Sequence, residues 1–193
     1  MTDALPQGAT PLHVDEADEL IPTHITTRGE LNEWEQANIV EAAAWLMGRR
    51  LDVLTEEAIR ELHRRMFGRT WRWAGEFRRS NKNIGVDWHT LPAALRQMLA
   101  DVRFWVEHRA YPPRQIAVRF HHRLAQVHCF PNGNGRHARL CADVLLVGMG
   151  ERGLGWGAEL NDPSAARSQY IAALRAADDG DCGPLLRFTG IMP

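Results

Sequence analysis

Apolar residues recur at three- and four-residue intervals through most of this chain, the spacing of one helix face. Trp34, Ala37, Ile39, Ala42 and Trp45 mark a helix that runs to about Gly48, with Asn32 as its cap and Glu35 reaching back in a capping box. Thr55, followed by Glu56 and Glu57, opens another, with Ile59, Leu62 and Met66 inside it. Leu95, Met98, Leu99, Val102 and Trp105 define a third from Pro92 to about Ala110. A fourth spans Pro113 to Val127, and a fifth starts near Asn134 and stops near Gly148 and Gly150. Asp162-Pro163 is a cap followed by a first-turn proline, opening a sixth through Ala177, and Gly183-Pro184 starts a short last one. Residues 1–29, rich in Pro, Thr, Gly and acid, read as an irregular lead-in. The pattern predicts an all-α bundle of about seven helices, with no internal repeat.

One segment breaks the rhythm. Between Trp71 and Trp88, Gly75, the polar run from Arg78 to Asn83, and Gly85 suit no helix. Phe77, Ile84 and Val86 predict two short strands around a turn at Asn81-Lys82-Asn83. From the residues alone, this is a surface hairpin that packs Trp73 and Phe77.

Composition narrows the function classes. The chain has 193 residues, enough for one domain with short additions, and its 45% hydrophobic and 24% charged content is that of an ordinary globular protein. A formal net charge of -1 supplies no bulk field for nucleic acid or an anionic membrane. Three cysteines, Cys129, Cys141 and Cys182, suit free thiols in a reducing, cytoplasmic compartment. The acidic N-terminus does not read as a signal peptide, and no apolar run approaches the ~20 residues of a membrane helix.

The candidate chemistry lies between His128 and Arg139. His128-Cys129-Phe130-Pro131-Asn132-Gly133-Asn134-Gly135-Arg136 places a base, a flexible turn and an arginine together, and Arg139 follows three residues on. A turn of this composition at a helix start can aim several N–H groups at one anion. Arg136 and Arg139 share a helix face and can grip one polyphosphate with forked donors. His128 can take a proton near neutral pH.

This run resembles the signature of the Fic family, His-x-Phe-x-(Asp/Glu)-Gly-Asn-(Gly/Lys)-Arg-x-x-Arg. His128, Phe130, Gly133, Asn134, Gly135, Arg136 and Arg139 match it, and Asn132 departs from it. Trp73-Ala74-Gly75, Tyr170 to Leu174 and Gly180-Asp181 extend the likeness over roughly residues 30–190. Residues 23–35, together with Pro131 to Arg139, resemble the subgroup called mobile mystery protein B. That subgroup is bacterial and usually encoded beside a helix-turn-helix protein, which implies a toxin–antitoxin or regulatory partner.

The resemblance implies a Fic domain over residues 30–193, behind a lead-in of 1–29, and transfer of a nucleoside monophosphate to a Ser, Thr or Tyr hydroxyl of a target protein. AMP from ATP, with Mg²⁺ or Mn²⁺, is the usual case. His128 would be the general base, because a hydroxyl is a poor nucleophile until it is deprotonated. Gly133, Asn134 and Gly135 would hold the phosphate oxygens. Arg136 and Arg139 would hold the β- and γ-phosphates. The hairpin would be a flap in which Ser80, Asn81, Lys82, Asn83, Ile84 and Gly85 position the target strand. Asn132 stands where the family has a metal-binding carboxylate, and a neutral amide is a poorer ligand for a hard cation. Three outcomes stay open: an ion held by phosphates and water, slow or metal-shifted catalysis, or nucleotide binding without transfer. Another phosphoryl transfer on the same scaffold is a further alternative. Thr26 to Asn32 is a near match to the family's inhibitory segment, which makes Glu30 a candidate partner for Arg139.

Other constellations carry less. His121, His122 and His128 lie close in sequence, but no further ligand set supports a metal there. His137 reads as a surface or supporting residue, Cys129 as packing, and the tryptophans as core.

Overall fold

The computed structural model describes residues 9–156 and 163–191. Eight helices form among them: α1 (Val14–Ala17), α2 (Arg28–Leu46), α3 (Glu56–Phe67), α4 (Leu91–Glu107), α5 (Pro113–Val127), α6 (Asn134–Gly148), α7 (Pro163–Asp178) and α8 (Gly183–Phe188). Helix α5 is the centre, packing against α4, α6, α7 and α8. Its Ile116, Ala117, Val118, Phe120, His121, His122, Leu124 and Val127 are buried around most of its circumference. A helix enclosed in this way makes a rigid base for whatever follows its C-terminus, and the motif follows it directly. Helix α3 packs on α2 and α6, so Ile59, Leu62, Met66 and Phe67 close the core on the motif side.

The predicted starts of α3 and α8 and both ends of α5, α6 and α7 agree with the structure to within a residue or two, while α4 stops at Glu107, short of the predicted Ala110. Thr55 caps α3 by accepting from the Ala58 N–H at 3.2 Å. The expected cap at Asp162 lies outside the described residues. The start of α2 differs from expectation. Its cap is Thr27, not Asn32, and its capping-box acid is Glu30, not Glu35. Glu35 is therefore free to turn inward. Helix α2 buries Glu35, Asn38 and Ala42 while Ala37 is exposed, so its inner face is partly polar. Buried polar groups need partners. Asn38 Nδ2 donates to Thr70 Oγ1 at 2.9 Å, and Glu35 accepts from Trp71 Nε1 at 2.7 Å.

The hairpin between Trp71 and Trp88 is not formed, and no strand runs through this segment. Its carbonyls are taken by a side chain instead of a facing strand. Arg78, 2% exposed, donates to the Ser80 carbonyl at 2.8 Å and to those of Val86 and Val127. It also reaches the His128 carbonyl at 2.6 Å. A guanidinium with forked donors replaces the ladder hydrogen bonds and ties the loop to the end of α5.

The lead-in is ordered where it is described. The Ile21 N–H donates to the Thr70 carbonyl at 2.8 Å, and the Arg72 N–H to that of Glu19 at 3.1 Å. Trp73 Nε1 donates to the Glu16 carbonyl at 3.0 Å. Residues 9–21 thus form a strap lying against the 70–83 segment.

Candidate active site

Helix α5 ends by handing the chain to His128 in the left-handed conformation, with φ 55° and ψ 63°. A non-glycine residue there carries a backbone cost of about 1–2 kcal/mol, so packing must hold it in place. The hold comes from several sides. Arg78 binds the His128 carbonyl, and the Arg78 N–H donates to the Cys129 carbonyl at 2.9 Å. Phe130 is fully buried and stacks on His63, with ring centroids 3.7 Å apart. His63 Nδ1 accepts from the Gly75 N–H, which leaves Nε2–H to donate to the Asn132 carbonyl at 3.1 Å. Asn134 pins the loop across itself: its Oδ1 accepts from the Phe130 N–H at 2.9 Å and its Nδ2 donates to the Phe130 carbonyl at 2.8 Å. Gly133, with φ +79°, must be glycine, because a Cβ would meet the Phe67 ring at 2.7 Å. Asn134 is thus a buried brace of the loop. The N–H groups at the start of α6 follow a glycine cap that offers them no side-chain oxygen.

The His128 imidazole is 5% exposed, and its Nε2 lies 3.1 Å from Thr10 Oγ1. Burial and the neighbouring charges of Arg78 and Lys82 push its pKa down to about 4, so the ring is neutral at physiological pH. A hydrogen bond to the Ala125 backbone favours the protonated ring. Assigning that bond to Nδ1–H leaves Nε2 as the acceptor for the Thr10 hydroxyl.

Arg136 and Arg139 share the expected face of α6. Arg136 lies 5.0 Å over the Phe67 ring, and Arg139 lies 5.2 Å over the Tyr170 ring. A third arginine, Arg167 on α7, stands near both. Its pKa is lowered by burial and then by the positive charges of Arg139 and Arg136. The three arginines concentrate positive charge at this end of α6, offset in part by the Glu35 carboxylate on Arg136. The sequence pattern does not reveal Arg167, because it lies 28 residues beyond Arg139.

The carboxylate that reaches a motif arginine is Glu35, not Glu30. Arg136 Nη1 donates to Glu35 Oε2 at 2.6 Å, and Glu35 is 5% exposed. Glu30 caps its own helix, accepting from the Thr26 and Thr27 N–H groups at 2.8 and 2.9 Å. Those bonds lower its pKa to about 2. The expected contact of Glu30 with Arg139 is replaced by this cap.

Asn132 does not offer a cation a ligand. Its Oδ1 accepts from the Gly133 N–H at 2.6 Å, and its Nδ2 donates to the Thr10 carbonyl at 3.2 Å. Among the described residues, no group of three or more His, Cys, Asp or Glu could hold a metal. A neutral amide with both polar atoms in use does not fit Mg²⁺.

The flap residues divide by contact. The Ser80 carbonyl is bound by Arg78, and Asn81 closes a turn onto Asp87 and the Trp88 N–H. The Lys82 side chain, 1% exposed, pairs with Glu16 of the strap, and Asn83 Nδ2 donates to the Ala9 carbonyl at 3.5 Å. Ile84 is exposed, and Gly85 (φ +103°) sits so close that a Cβ would meet His128 Cβ at 2.7 Å. His121 Nε2 meets Tyr170 Oη at 2.9 Å, and His122 pairs with Asp178. Neither points to a metal. His137 is not a surface residue: it is 1% exposed, its Nε2 bonds the Ile59 carbonyl at 2.9 Å, and burial lowers its pKa to about 4. Cys129 is buried, with its thiol pKa pushed up to about 12, as suits packing and not nucleophilic attack.

Residues 53–146 match the model of the Fic/DOC family. Over 139 residues, 70% of this chain, the sequence is 32% identical to the protein adenylyltransferase Fic of Drosophila grimshawi, and it covers 28% of that protein. The Drosophila melanogaster protein of the same name is also 32% identical over 139 residues, 27% of its length. This chain therefore spans only about a quarter of the curated relatives it matches. Fic-1 from C. elegans superposes with a TM-score of 0.63 at 25% identity, over 90% of this chain and 50% of that one. The BepC protein of Bartonella tribocorum, solved with bound AMPPNP, gives a TM-score of 0.69 at 16% identity, over 92% and 96% of the two chains. Motif, helical bundle and relatives agree: the chain belongs to the Fic/DOC family.

Proposed function

We propose that this protein is a nucleotidyltransferase that moves AMP from ATP onto a hydroxyl of a target protein. The observation that carries this reading is the neutral His128 imidazole, held with Nε2 facing a hydroxyl beside the loop that opens the arginine-bearing helix α6. In the proposed reaction Nε2 takes the proton of the attacking hydroxyl while the oxygen bonds the α-phosphorus. The first-turn N–H groups of Asn134 and Gly135 stabilise charge on the phosphate oxygens, while the Gly133 N–H stays on Asn132 and the Asn134 side chain keeps the loop in shape. Arg136, Arg139 and Arg167 hold the β- and γ-phosphates and the departing pyrophosphate. Gly85 lies against His128, and Ser80 to Gly85 serve in this reading as positioning residues for the incoming segment. Asn132 offers no site for a cation, so no step is assigned to one.

The Fic domain in this reading covers residues 30–193, with 1–29 as its lead-in. The acceptor is a protein of a reducing, cytoplasmic compartment, to which three free thiols are suited. A bacterial toxin–antitoxin setting with a helix-turn-helix partner rests on the sequence likeness alone. The neutral Asn132 favours one second reading, a nucleotide-binding module with little or no transfer.

ATP labelled separately at the α- and γ-phosphates tests the proposal. Label from the α-position on protein, lost with His128→Ala while ATP still binds, is the expected result. Loss of general-base catalysis lowers the rate by about 10²–10⁴-fold. Transfer of γ-label identifies a kinase-like reaction instead, and binding without any transfer identifies the module.

A further inference from the structure

The geometry points to Thr10 as an acceptor hydroxyl for this chain's own nucleotidyl transfer. The inference rests on the transfer reading above and adds a substrate to it.

Four contacts place Thr10 where an acceptor must be. Its Oγ1 lies 3.1 Å from His128 Nε2, the atom that would take the proton. Its carbonyl accepts from Asn132 Nδ2 at 3.2 Å, and Asn132 immediately precedes the glycine cap of the anion-binding helix. One residue earlier, the Ala9 carbonyl accepts from Asn83 in the flap at 3.5 Å. Further along, Glu16 is paired with the buried Lys82, also in the flap. The segment that would position a target strand is therefore already holding residues 9–16. Thr10 is itself 8% exposed, so the strap is seated and not draped over the surface. A hydroxyl within hydrogen-bond reach of its general base, fixed on both sides, meets the geometric requirement for giving its proton to that base.

The step balances with ATP as the only co-reactant. Thr10 Oγ forms a bond to the α-phosphorus as its proton passes to His128 Nε2. The bond from the α-phosphorus to the bridging oxygen of the β-phosphate breaks, and pyrophosphate leaves with that electron pair. The product is a phosphodiester joining Thr10 to AMP, and His128 returns its proton to the medium. Because the acceptor is tethered, the rate is independent of protein concentration.

The full chain is incubated with α-labelled ATP and Mg²⁺ or Mn²⁺, alone and with a cell lysate. Intact mass and peptide mapping then read out the wild type, Thr10→Ala, Thr10→Ser and His128→Ala. The expected result is one adenylate per chain on the peptide bearing Thr10, formed at a rate that does not change on tenfold dilution. It is retained in Thr10→Ser and lost in Thr10→Ala and His128→Ala. Thermal melting confirms that the variants are folded, and Thr10→Ser keeps the test sound if Thr10→Ala is not. Modification at another residue, or undiminished modification of Thr10→Ala, overturns the assignment. Labelled lysate proteins with an unmodified wild-type chain also overturn it, and leave nucleotidyl transfer standing. No label on any protein overturns both.

Discussion

Glu35 shows how much one side chain can redirect a site. It bridges Trp71 Nε1 and Arg136, so a guanidinium assigned to phosphate in the proposed reaction is committed to a carboxylate. In the proposed reaction ATP must displace that contact or bind beside a buried negative charge. Glu35→Gln is expected to raise transfer or ATP affinity roughly tenfold, a change of about 1.4 kcal/mol, measured by titration and initial rates. Glu30→Gln should leave the transfer rate as it is and lower the melting temperature, because Glu30 only caps α2. Asn132 makes the complementary case. Asn132→Asp places a charged oxygen in the loop, so transfer should become steeply dependent on Mg²⁺ in a metal titration; an unchanged dependence would sink the idea.

At the scale of elements, the flap hangs on Arg78. Its guanidinium serves four carbonyls and is held in the interior, where burial lowers its pKa. Arg78→Ala leaves those acceptors without a charged donor and should cost about 3 kcal/mol in a urea melt. It should also release both the flap and His128. Gly85→Ala tests the same junction locally. The left-handed backbone and the clash with His128 should lower the rate of transfer at least tenfold, with less loss of stability than Arg78→Ala. The hairpin expectation failed here for a readable reason. Phe77 on one side of the polar turn and Ile84 and Val86 on the other suit two strands, but a buried arginine takes carbonyls of this segment instead.

Across the whole molecule, the buried histidines set an acid limit. His63 and His121 are held well below the ordinary value, and His128 and His137 at about 4, all chiefly by burial. In the unfolded chain each takes a proton near pH 6.5, while in the folded chain each resists until a lower pH. Their contribution to stability is thus complete above about pH 6.5. It falls as pH drops toward 4, by up to roughly 3 kcal/mol for a fully buried group such as His137. Melting temperatures between pH 7.5 and 4.5 should decline, and His137→Gln should flatten the decline; a flat wild-type profile would contradict this account.

The sequence by itself determined most of the helices and the identity of the motif. Helical periodicity and local capping are set within a few residues, and the run from His128 to Arg139 is contiguous. Thr55 as a cap, α5 leading into the loop and the shared face of Arg136 and Arg139 were all legible for that reason. What only the tertiary structure decided are the pairings across long separations. Glu35 meets Arg136, Arg78 meets His128, Arg167 joins the two motif arginines, and Thr10 meets His128 at a sequence distance of 118. Each is a buried polar or charged group whose partner is chosen by packing and desolvation, and no spacing along the chain encodes that choice.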